Sequence, residues 1–351
     1  MGASISGFDP NAPAAAGAGI FGLPFSPQQA ALVLIPVPWE ATTSYGGGTS
    51  AGPSSILAAS RQVDLFDLEA ARAYEAGIAM LDESEEIRSW NQQAKGLAAP
   101  IVAAGGAGET DPRMGRALRK VNELSELVNE SVRRATAEWL AAGKLVGVVG
   151  GDHSSPFGAI QAVAAVTPSF GILHLDAHSD LRRAYEGFTY SHASIMENVL
   201  RQVPQVHALV QVGIRDFCEE EYDRIRAQRD RVHVFFDASL ADARFGGTPW
   251  AQLVERMIHP LPQHVWLSFD IDGLDPALCP HTGTPVPGGL SFQDACFLVR
   301  AVARSGRRIV GFDLCEVAPG PDGDEWDANV GARMLYKMAI WTLVSGERCG
   351  P

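Results

Sequence analysis

The sequence predicts an α/β fold in which helices cover both faces of a mainly parallel sheet. Short apolar runs recur along the chain, longer stretches with helical spacing of apolar residues lie between them, and the two alternate over most of the length. Such alternation is typical of a sheet with helical crossovers. Because no repeat or linker divides the chain, we expect one domain over residues 30–351, preceded by an N-terminal arm or oligomer contact over residues 1–29.

Seven runs are predicted as buried strands because they are short, rich in β-branched residues and bounded by glycine, proline or aspartate. These runs are residues 31–35, 145–149, 170–175, 208–212, 232–236, 265–269 and 309–314.

Between these runs, apolar residues recur at spacings of three and four, which predicts helices. The predicted helices are residues 116–142, 157–166, 192–203, 219–228, 250–258, 292–304 and 326–344. Residues 70–115 are rich in alanine, glycine and glutamate, and we expect them to form an irregular excursion on the surface. Trp90 in this excursion either folds back over a pocket or simply packs against the core.

Charge and composition argue against several classes of protein. The 351-residue chain carries 28 basic and 41 acidic residues, a formal charge of −13 that suits a cationic small substrate and not a nucleic acid. No apolar run approaches the roughly 18 residues of a membrane span, and the N-terminus lacks the basic start of a secretory signal. The scattered cysteines form no CxxC pair, which indicates reduced thiols in a cytoplasmic protein. The cysteines are Cys218, Cys279, Cys296, Cys315 and Cys349.

Polar clusters follow four of the predicted strands, and ligands of open α/β sheets bind beyond the carboxyl ends of strands. After the second strand, the segment GGDHSS at 150–155 has two glycines that let a ligand approach, and then presents His153. A turn in which Asp152 caps the next helix explains this segment equally well. After the last strand, Glu316 projects past the strand end, where it can bind a positively charged substrate. Asp313 is a candidate for a supporting role.

Carboxylates alternate with other residues after two further strands. Asp176, His178 and Asp180 are two residues apart, so in extended backbone their side chains point to one side. Asp270 and Asp272 repeat this spacing. Ionisable groups gathered at the end of a buried strand are unfavourable unless a cation compensates them. We therefore expect these side chains to bind metal.

Together with His153, these side chains provide four carboxylates and two imidazoles. A single zinc ion takes three or four ligands, often with sulfur, whereas six oxygen and nitrogen ligands suit two divalent ions that share carboxylates. Such ligands favour Mn²⁺, Ni²⁺, Co²⁺ or Fe²⁺, and two ions lower the pKa of a shared water towards ~7. The sequence therefore predicts a two-metal hydrolase.

Three of these segments resemble the signatures of the ureohydrolase family of arginases and agmatinases. They are GGDHS at 150–154, DAHSD at 176–180 and SFDIDGLDP at 268–276, and their order and spacing match over residues 32–344. The resemblance implies a three-layer α/β/α sandwich with a mainly parallel central sheet, as in arginases and deacetylases. It also implies two divalent ions, Mn²⁺ or Ni²⁺, and hydrolysis of a guanidino C–N bond to release urea and ammonia or an amine.

The resemblance also implies roles for individual side chains. The implied metal ligands are His153 and Asp180 for one ion, His178 and Asp272 for the other, and Asp176 and Asp270 as bridges. His192 matches the family's mobile histidine, a proton shuttle or hydrogen-bond partner of the substrate, although a histidine at the start of a helix explains it equally well. Glu316 matches the guanidinium-binding acid. A proton would reach the leaving amine through Asp180 or His192.

Two features bear on the choice of substrate. The stretch 181–190 lacks the asparagine and serine with which arginases hold the amino-acid head group, which disfavours arginine. Segments 35–49 and 185–196 resemble the branch of guanidine and metformin hydrolases, so we expect guanidine, an N-alkylguanidine or a biguanide. The alternative is agmatine or a guanidino acid. Aromatic side chains suit a flat cation, although core packing explains some of them equally well. The candidates for the substrate pocket are Trp39, Tyr45, Tyr185, Phe188 and His281.

Other classes of function stay open at this point. A phosphoesterase would be expected to carry more histidine and an asparagine ligand, and Glu186 and Glu316 would repel its phosphate. A deacetylase of related fold would keep only one zinc ion. A non-catalytic companion subunit would have lost ligands, whereas this chain keeps all six. The resemblance further implies a homo-oligomer, either a trimer or a hexamer, or an assembly with a related subunit.

Overall fold

Eight strands form one sheet in the computed structural model, which describes residues 8–15, 17–107 and 111–348. The strands are β1 (Leu32–Val37), β2 (Ile78–Met80), β3 (Leu145–Gly150), β4 (Phe170–Leu175), β5 (Val206–Ile214), β6 (Val232–Phe236), β7 (His264–Asp270) and β8 (Arg308–Cys315). Their order in the sheet is β2-β1-β3-β8-β7-β4-β5-β6, and each neighbouring pair is parallel. The predicted α/β class is confirmed.

Helices cover both faces of this sheet. Within the described ranges they are α1 (Gly52–Ser60), α2 (Glu85–Ala103), α3 (Pro112–Ala141), α4 (Phe157–Val166), α5 (Ile195–Gln202), α6 (Glu219–Ala227), α7 (Asp237–Phe245), α8 (Trp250–Ile258), α9 (Phe292–Arg304) and α10 (Trp326–Ser345). One hydrophobic core contains buried residues of α1, α7, α8, α9 and α10, and a second contains those of α2 to α6. This arrangement is the α/β/α sandwich that the family resemblance implies.

The expectation of an irregular excursion over residues 70–115 is wrong. Within it, β2 adds a parallel strand beside β1, and α2 runs for 19 residues. Ser84 caps α2 by accepting a hydrogen bond from the Ile87 amide at 3.3 Å. Alanine and glutamate are strong helix formers, so the composition that suggested a surface excursion in fact favours this helix. Trp90 lies on α2 and packs, partly buried, against the second core.

Other element boundaries also differ from the predictions. Helix α3 begins at Pro112 and not at residue 116, because the Asp111 side chain caps it by accepting a hydrogen bond from the Arg113 amide at 2.8 Å. Helix α1 was not predicted because its first residues, GPSS, are typical of a turn. Helix α7 directly follows β6 and was also not predicted. The helix predicted from residue 192 starts with a 3₁₀ turn at His192–Ser194 and continues as α5.

The described part of the N-terminal segment packs against the chain itself. Ile20, Phe21 and Leu23 are buried, and the Phe21 ring lies edge-on to the Tyr336 ring of α10 with 5.0 Å between centroids. Its role as an oligomer contact and the single domain stay predictions. Four cysteines are free thiols, and Cys349 lies outside the described residues. Among the described residues, no helix is both long and apolar enough to cross a membrane.

Candidate active site

Four adjacent strands in the middle of the sheet, β3, β8, β7 and β4, end at one edge and carry the predicted site. His153 follows β3, Asp176 follows β4, Asp270 is the last residue of β7, and Glu316 follows β8. Because the strands are parallel, their carboxyl ends bring together segments that are far apart in sequence. A Cβ at Gly151 would lie 2.0 Å from the Trp39 carbonyl oxygen, so this turn before His153 requires glycine.

The His153 ring faces three carboxylates. Its Nδ1 atom lies 3.0 Å from Oδ2 of Asp176 and 3.3 Å from Oδ2 of both Asp180 and Asp270. Its Nε2 atom lies 3.0 Å from the Ser268 hydroxyl, which fixes the orientation of the ring. All of these side chains are buried. The predicted ligand group around His153 is therefore assembled.

The second group forms around His178. Its Nδ1 atom lies 3.1 Å from Oδ2 of Asp272 and 3.4 Å from Oδ1 of Asp176. Asp272 also accepts hydrogen bonds from the Ala177 amide at 3.0 Å and from the Thr284 hydroxyl at 3.3 Å. Asp176 contacts both histidines with different oxygens, which is the geometry expected of a carboxylate shared by two ions.

Sequence reasoning missed His174, which supports Asp176. The Nε2 atom of His174 lies 2.8 Å from Oδ2 of Asp176, and its Nδ1 atom lies 2.9 Å from the side-chain Nε2 atom of Gln211. Gln211 also donates to the Ser179 carbonyl oxygen at 2.7 Å. His174 precedes Asp176 by two residues, so the alternation that grouped the other ligands also places it on this face.

Asp313 has the supporting role considered from the sequence. Its Oδ1 atom accepts a hydrogen bond from the Ser268 hydroxyl at 3.0 Å, and its Oδ2 atom accepts one from the Trp266 indole at 2.5 Å. Asp313 therefore holds the hydroxyl that contacts His153. Nothing in the sequence indicates that Trp266 and Ser268, on the neighbouring strand β7, are its partners.

Among the buried carboxylate oxygens that have no hydrogen-bond partner in the described residues, two belong to predicted site residues. They are Oε2 of Glu316 and Oδ2 of Asp180, which lies 3.3 Å from His153 Nδ1 without forming a hydrogen bond. The other oxygen of Glu316, Oε1, accepts a hydrogen bond from the His153 amide at 2.9 Å. A buried charge without a partner is strongly unfavourable, so these oxygens fit cations.

Asp180 and Glu316 also have strained backbones. Their φ angles are 54° and 64°, in the left-handed region that residues other than glycine rarely adopt. Strained residues are concentrated at functional sites, where the surrounding structure holds them in place. The Glu316 amide donates to the Gly151 carbonyl oxygen at 2.7 Å, which fixes this conformation beside His153.

Three carboxyl groups of the site, those of Asp180, Asp270 and Glu316, have pKa values shifted towards the protonated form. Burial raises the pKa of Asp180 to about 6, and the Asp176 charge adds to the shift. Burial, followed by neighbouring carboxylates, raises the pKa of Asp270 and of Glu316 well above their ordinary values. The pKa of Asp176 is instead held well below its ordinary value, because the surrounding histidines outweigh its burial. Divalent ions would supply the missing positive charge.

The imidazoles divide into two kinds. Burial alone would lower the pKa of His153 and His178, but the adjacent carboxylates outweigh it and hold the pKa of His153 well above its ordinary value. The pKa of His178 rises to about 12, mainly through Asp272. The pKa of His192 falls to about 4 through burial and then through the positive charge of His178. His192 is therefore neutral near pH 7.

A cavity of about 150 Å³ opens beside these groups, and His178, Asp180 and His192 line it. The Tyr185 ring on its wall lies edge-on to His192, with 6.0 Å between centroids. The Arg182 guanidinium lies 4.9 Å from the centroid of the Tyr185 ring. The cavity therefore combines carboxylate, imidazole and aromatic surfaces, as a flat cation requires.

Of the five predicted pocket residues, Tyr185 lies on this cavity wall and the others lie elsewhere. Trp39 and Phe188 are fully buried in the second core, because their large apolar surfaces are removed from water there. Tyr45 is 86% exposed and lines a neighbouring groove. His281 does not line the cavity, and its Nδ1 atom lies 2.9 Å from Oδ1 of Asp327.

Comparisons with known proteins agree with this geometry. The model of the arginase family matches residues 30–341. An N(1)-aminopropylagmatine ureohydrolase of Thermus thermophilus is 33% identical over 323 residues, which cover 92% of this chain and 93% of the relative. An agmatinase of Bacillus subtilis is 27% identical, with 89% and 92% covered. The crystal structure of the agmatine ureohydrolase of Thermoplasma volcanium has the same fold, with a TM-score of 0.70, 24% identity and 94% of each chain covered.

Proposed function

Because this chain belongs to the arginase family, whose members hydrolyse C–N bonds of guanidino groups, we propose that it hydrolyses a linear guanidino amine of the agmatine type to urea and an amine. The preference for guanidine, an N-alkylguanidine or a biguanide is not supported by the two relatives compared above. One is named N(1)-aminopropylagmatine ureohydrolase and the other agmatinase, and each matches this chain over nearly its full length. The alternative substrate class considered from the sequence therefore becomes the proposal.

The observation that carries the guanidino assignment is the buried Oε2 atom of Glu316, which has no hydrogen-bond partner among the described residues. A guanidinium group presents N–H donors in a plane, and a carboxylate accepts them strongly. Glu316 contacts the His153 amide through its other oxygen, so a guanidinium bound to it would lie beside the proposed metal ligands.

Two acidic residues of the cavity wall support a second positive charge on the substrate. Asp216 and Glu221 line the cavity together with Arg182 and two histidines. Glu221 lies 3.7 Å from Arg182 and accepts hydrogen bonds from the Leu181 and Cys218 amides. Asp216 is exposed, and its carboxylate has no partner among the described residues. We therefore assign Asp216 to the distal amine of the substrate.

The residues present fit two divalent ions, Mn²⁺ or Ni²⁺. We assign His153 and Asp180 to one ion, His178 and Asp272 to the other, and Asp176 and Asp270 to both. When bound, the ions would activate a water for attack on the guanidinium carbon. Cytoplasmic location and homo-oligomeric assembly are proposals from the sequence.

The protein side chains then position the substrate and move the proton. Glu316 holds the guanidinium and stabilises its positive charge. The neutral His192 ring, on the cavity wall, can form a hydrogen bond with the substrate. The proton for the leaving amine passes through the Asp180 carboxyl group or through the His192 ring, since both residues line the cavity and burial shifts both pKa values towards the neutral form.

Urea release tests the proposed substrate. Metal-loaded protein should release urea faster from agmatine and aminopropylagmatine than from guanidinobutyrate, arginine, guanidine, methylguanidine or metformin. Asp216→Asn should raise KM for agmatine about two- to fivefold and leave turnover of guanidine unchanged, since an exposed charge pair contributes roughly 0.2–1 kcal/mol. Preferred turnover of guanidine or metformin would contradict the agmatine-type assignment.

Metal binding should release protons. The pKa of His178 is raised to about 12, so its ring carries a proton near pH 8 without metal, and the pKa of His153 is also raised; a ligand must be neutral to bind. We expect at least about one proton to be released per chain, and the metal affinity to rise with pH because protons compete less. Calorimetry in two buffers of different ionisation enthalpy measures this number. His207→Gln, at an exposed imidazole, should release the same number, and binding without proton release would contradict the ligand assignment.

A further inference from the structure

The loop after strand β1, residues 41–50 (the β1 loop), contacts the active site at two points. The Thr42 hydroxyl accepts a hydrogen bond from the His192 amide at 3.3 Å. The Gly46 amide donates to the Gly283 carbonyl oxygen at 2.9 Å. A Cβ at Gly283 would lie 3.2 Å from Oε2 of Glu316, so this contact is made directly beside the guanidinium-binding carboxylate. The position of the β1 loop therefore bears on both His192 and Glu316.

This loop has little to order it locally. It contains the sequence Gly46-Gly47-Gly48, and Gly48 has a φ of 106°. Glycine loses more backbone entropy on ordering than any other residue. Residues 41–48 also lie outside helices and strands, so a contact other than regular secondary structure must hold them in place.

Glu40 supplies such a contact at the start of the loop. Its side chain is 2% exposed, and its Oε2 atom accepts three hydrogen bonds from the far end of the loop. The donors are the amides of Gly48 and Ser50, both at 2.8 Å, and the Thr49 hydroxyl at 3.2 Å. One carboxylate oxygen thus closes the loop on itself. Hydrogen bonds to a charged acceptor are stronger than those to a neutral one.

Helix α2 holds Glu40 from the other side. The side-chain oxygen of Asn91 accepts a hydrogen bond from the Glu40 amide at 2.9 Å. Lys95, one helical turn later, forms an ion pair with Oε1 of Glu40. Helix α2 therefore fixes both the backbone and the side chain of Glu40, while Oε2 stays directed at the β1 loop.

We propose that Glu40 is a positioning residue, which anchors the β1 loop and thereby sets His192 and the loop beside Glu316 for turnover. The expected effect of Glu40 on turnover rests on the proposed function, whereas its expected effect on the order of the β1 loop does not. The hydrogen bonds and the ion pair of Glu40 go to Asn91, Lys95 and the β1 loop and not to the proposed metal ligands, so removing its carboxylate should leave metal binding intact.

Hydrogen exchange of the metal-loaded protein tests this proposal without substrate. In Glu40→Met, which removes the acceptor and nearly keeps the volume, amides of residues 43–50 should exchange at least about tenfold faster, while strands β3, β4 and β7 exchange as in the wild type. Metal content should be unchanged and kcat should fall about tenfold or more. Glu40→Gln, which keeps an acceptor oxygen, should recover part of both losses.

Lys95→Met is the matched control, because it removes the ion pair and keeps the three loop hydrogen bonds. We expect its loop exchange and kcat to stay within about threefold of the wild type. Wild-type loop exchange in Glu40→Met would overturn the proposal, as would faster exchange spread over the central strands. If Glu40→Met does not fold, Thr49→Val removes one donor and must still accelerate loop exchange. If the protein hydrolyses none of the guanidino substrates, the proposed function is contradicted. The hydrogen-exchange result then decides by itself whether Glu40 anchors the β1 loop.

Discussion

Asp176→Ala is expected to abolish both metal retention and urea release. Asp176 contacts His153 with one oxygen and His178 with the other, so its loss removes a ligand from both proposed ion sites. Asp270→Ala should have the same effect. We expect turnover to fall well beyond the roughly 10- to 100-fold typical of partners that only support a metal ligand. Elemental analysis and a urea assay on the same sample measure the two losses together.

Asp275→Asn provides the matched control for these variants. Asp275 lies in the same SFDIDGLDP segment, but it is exposed and its Oδ1 atom accepts a hydrogen bond from the Ala277 amide, which an asparagine preserves. This variant should keep both ions and its activity. An Asp176→Ala or Asp270→Ala protein that kept its metal and full turnover would remove the assignment of these carboxylates as shared ligands.

Glu316→Gln is expected to keep the metal and lose most of the activity. The amide keeps the volume and an acceptor for the His153 amide, but it removes the negative charge that would face the guanidinium. Breaking a buried ion pair costs roughly 3–5 kcal/mol, which corresponds to a loss in kcat/KM of about 150- to 5,000-fold. If the variant keeps two ions per chain and shows this loss of activity, Glu316 acts in substrate binding and not in metal binding. An unchanged rate would refute the guanidinium role of Glu316.

The cluster of proposed metal ligands could be predicted because strand geometry makes it visible in the sequence. Side chains two residues apart on an extended segment share one side, and parallel strands end at one edge, so Asp176, His178, Asp270 and Asp272 are grouped by spacing alone. The left-handed backbone of Asp180 and Glu316 has no such signal, because it is imposed by surrounding contacts such as the hydrogen bond from Glu316 to Gly151.

The outer parts of the site could not be predicted from the sequence. An aromatic residue near a motif fits a core as well as a pocket, and so Trp39 and Phe188 were assigned to the pocket but lie in the core. Helix α2 was not predicted, because its composition suggested a surface excursion. The contacts that Asn91 and Lys95 of this helix make with Glu40, more than 50 residues away in sequence, were therefore not predicted either. Such contacts between distant segments follow from the packing of the sheet and helices and leave no local pattern.

The central claim is that two divalent ions, held by six side chains from three strand ends, make this protein a guanidino hydrolase. Its most direct test is urea release from agmatine as chelated protein is reloaded stepwise with Mn²⁺ or Ni²⁺, with the metal counted at each step. We expect no turnover without metal and full turnover at two ions per chain. Full turnover of exhaustively chelated protein, or full turnover at one ion per chain, would contradict the account.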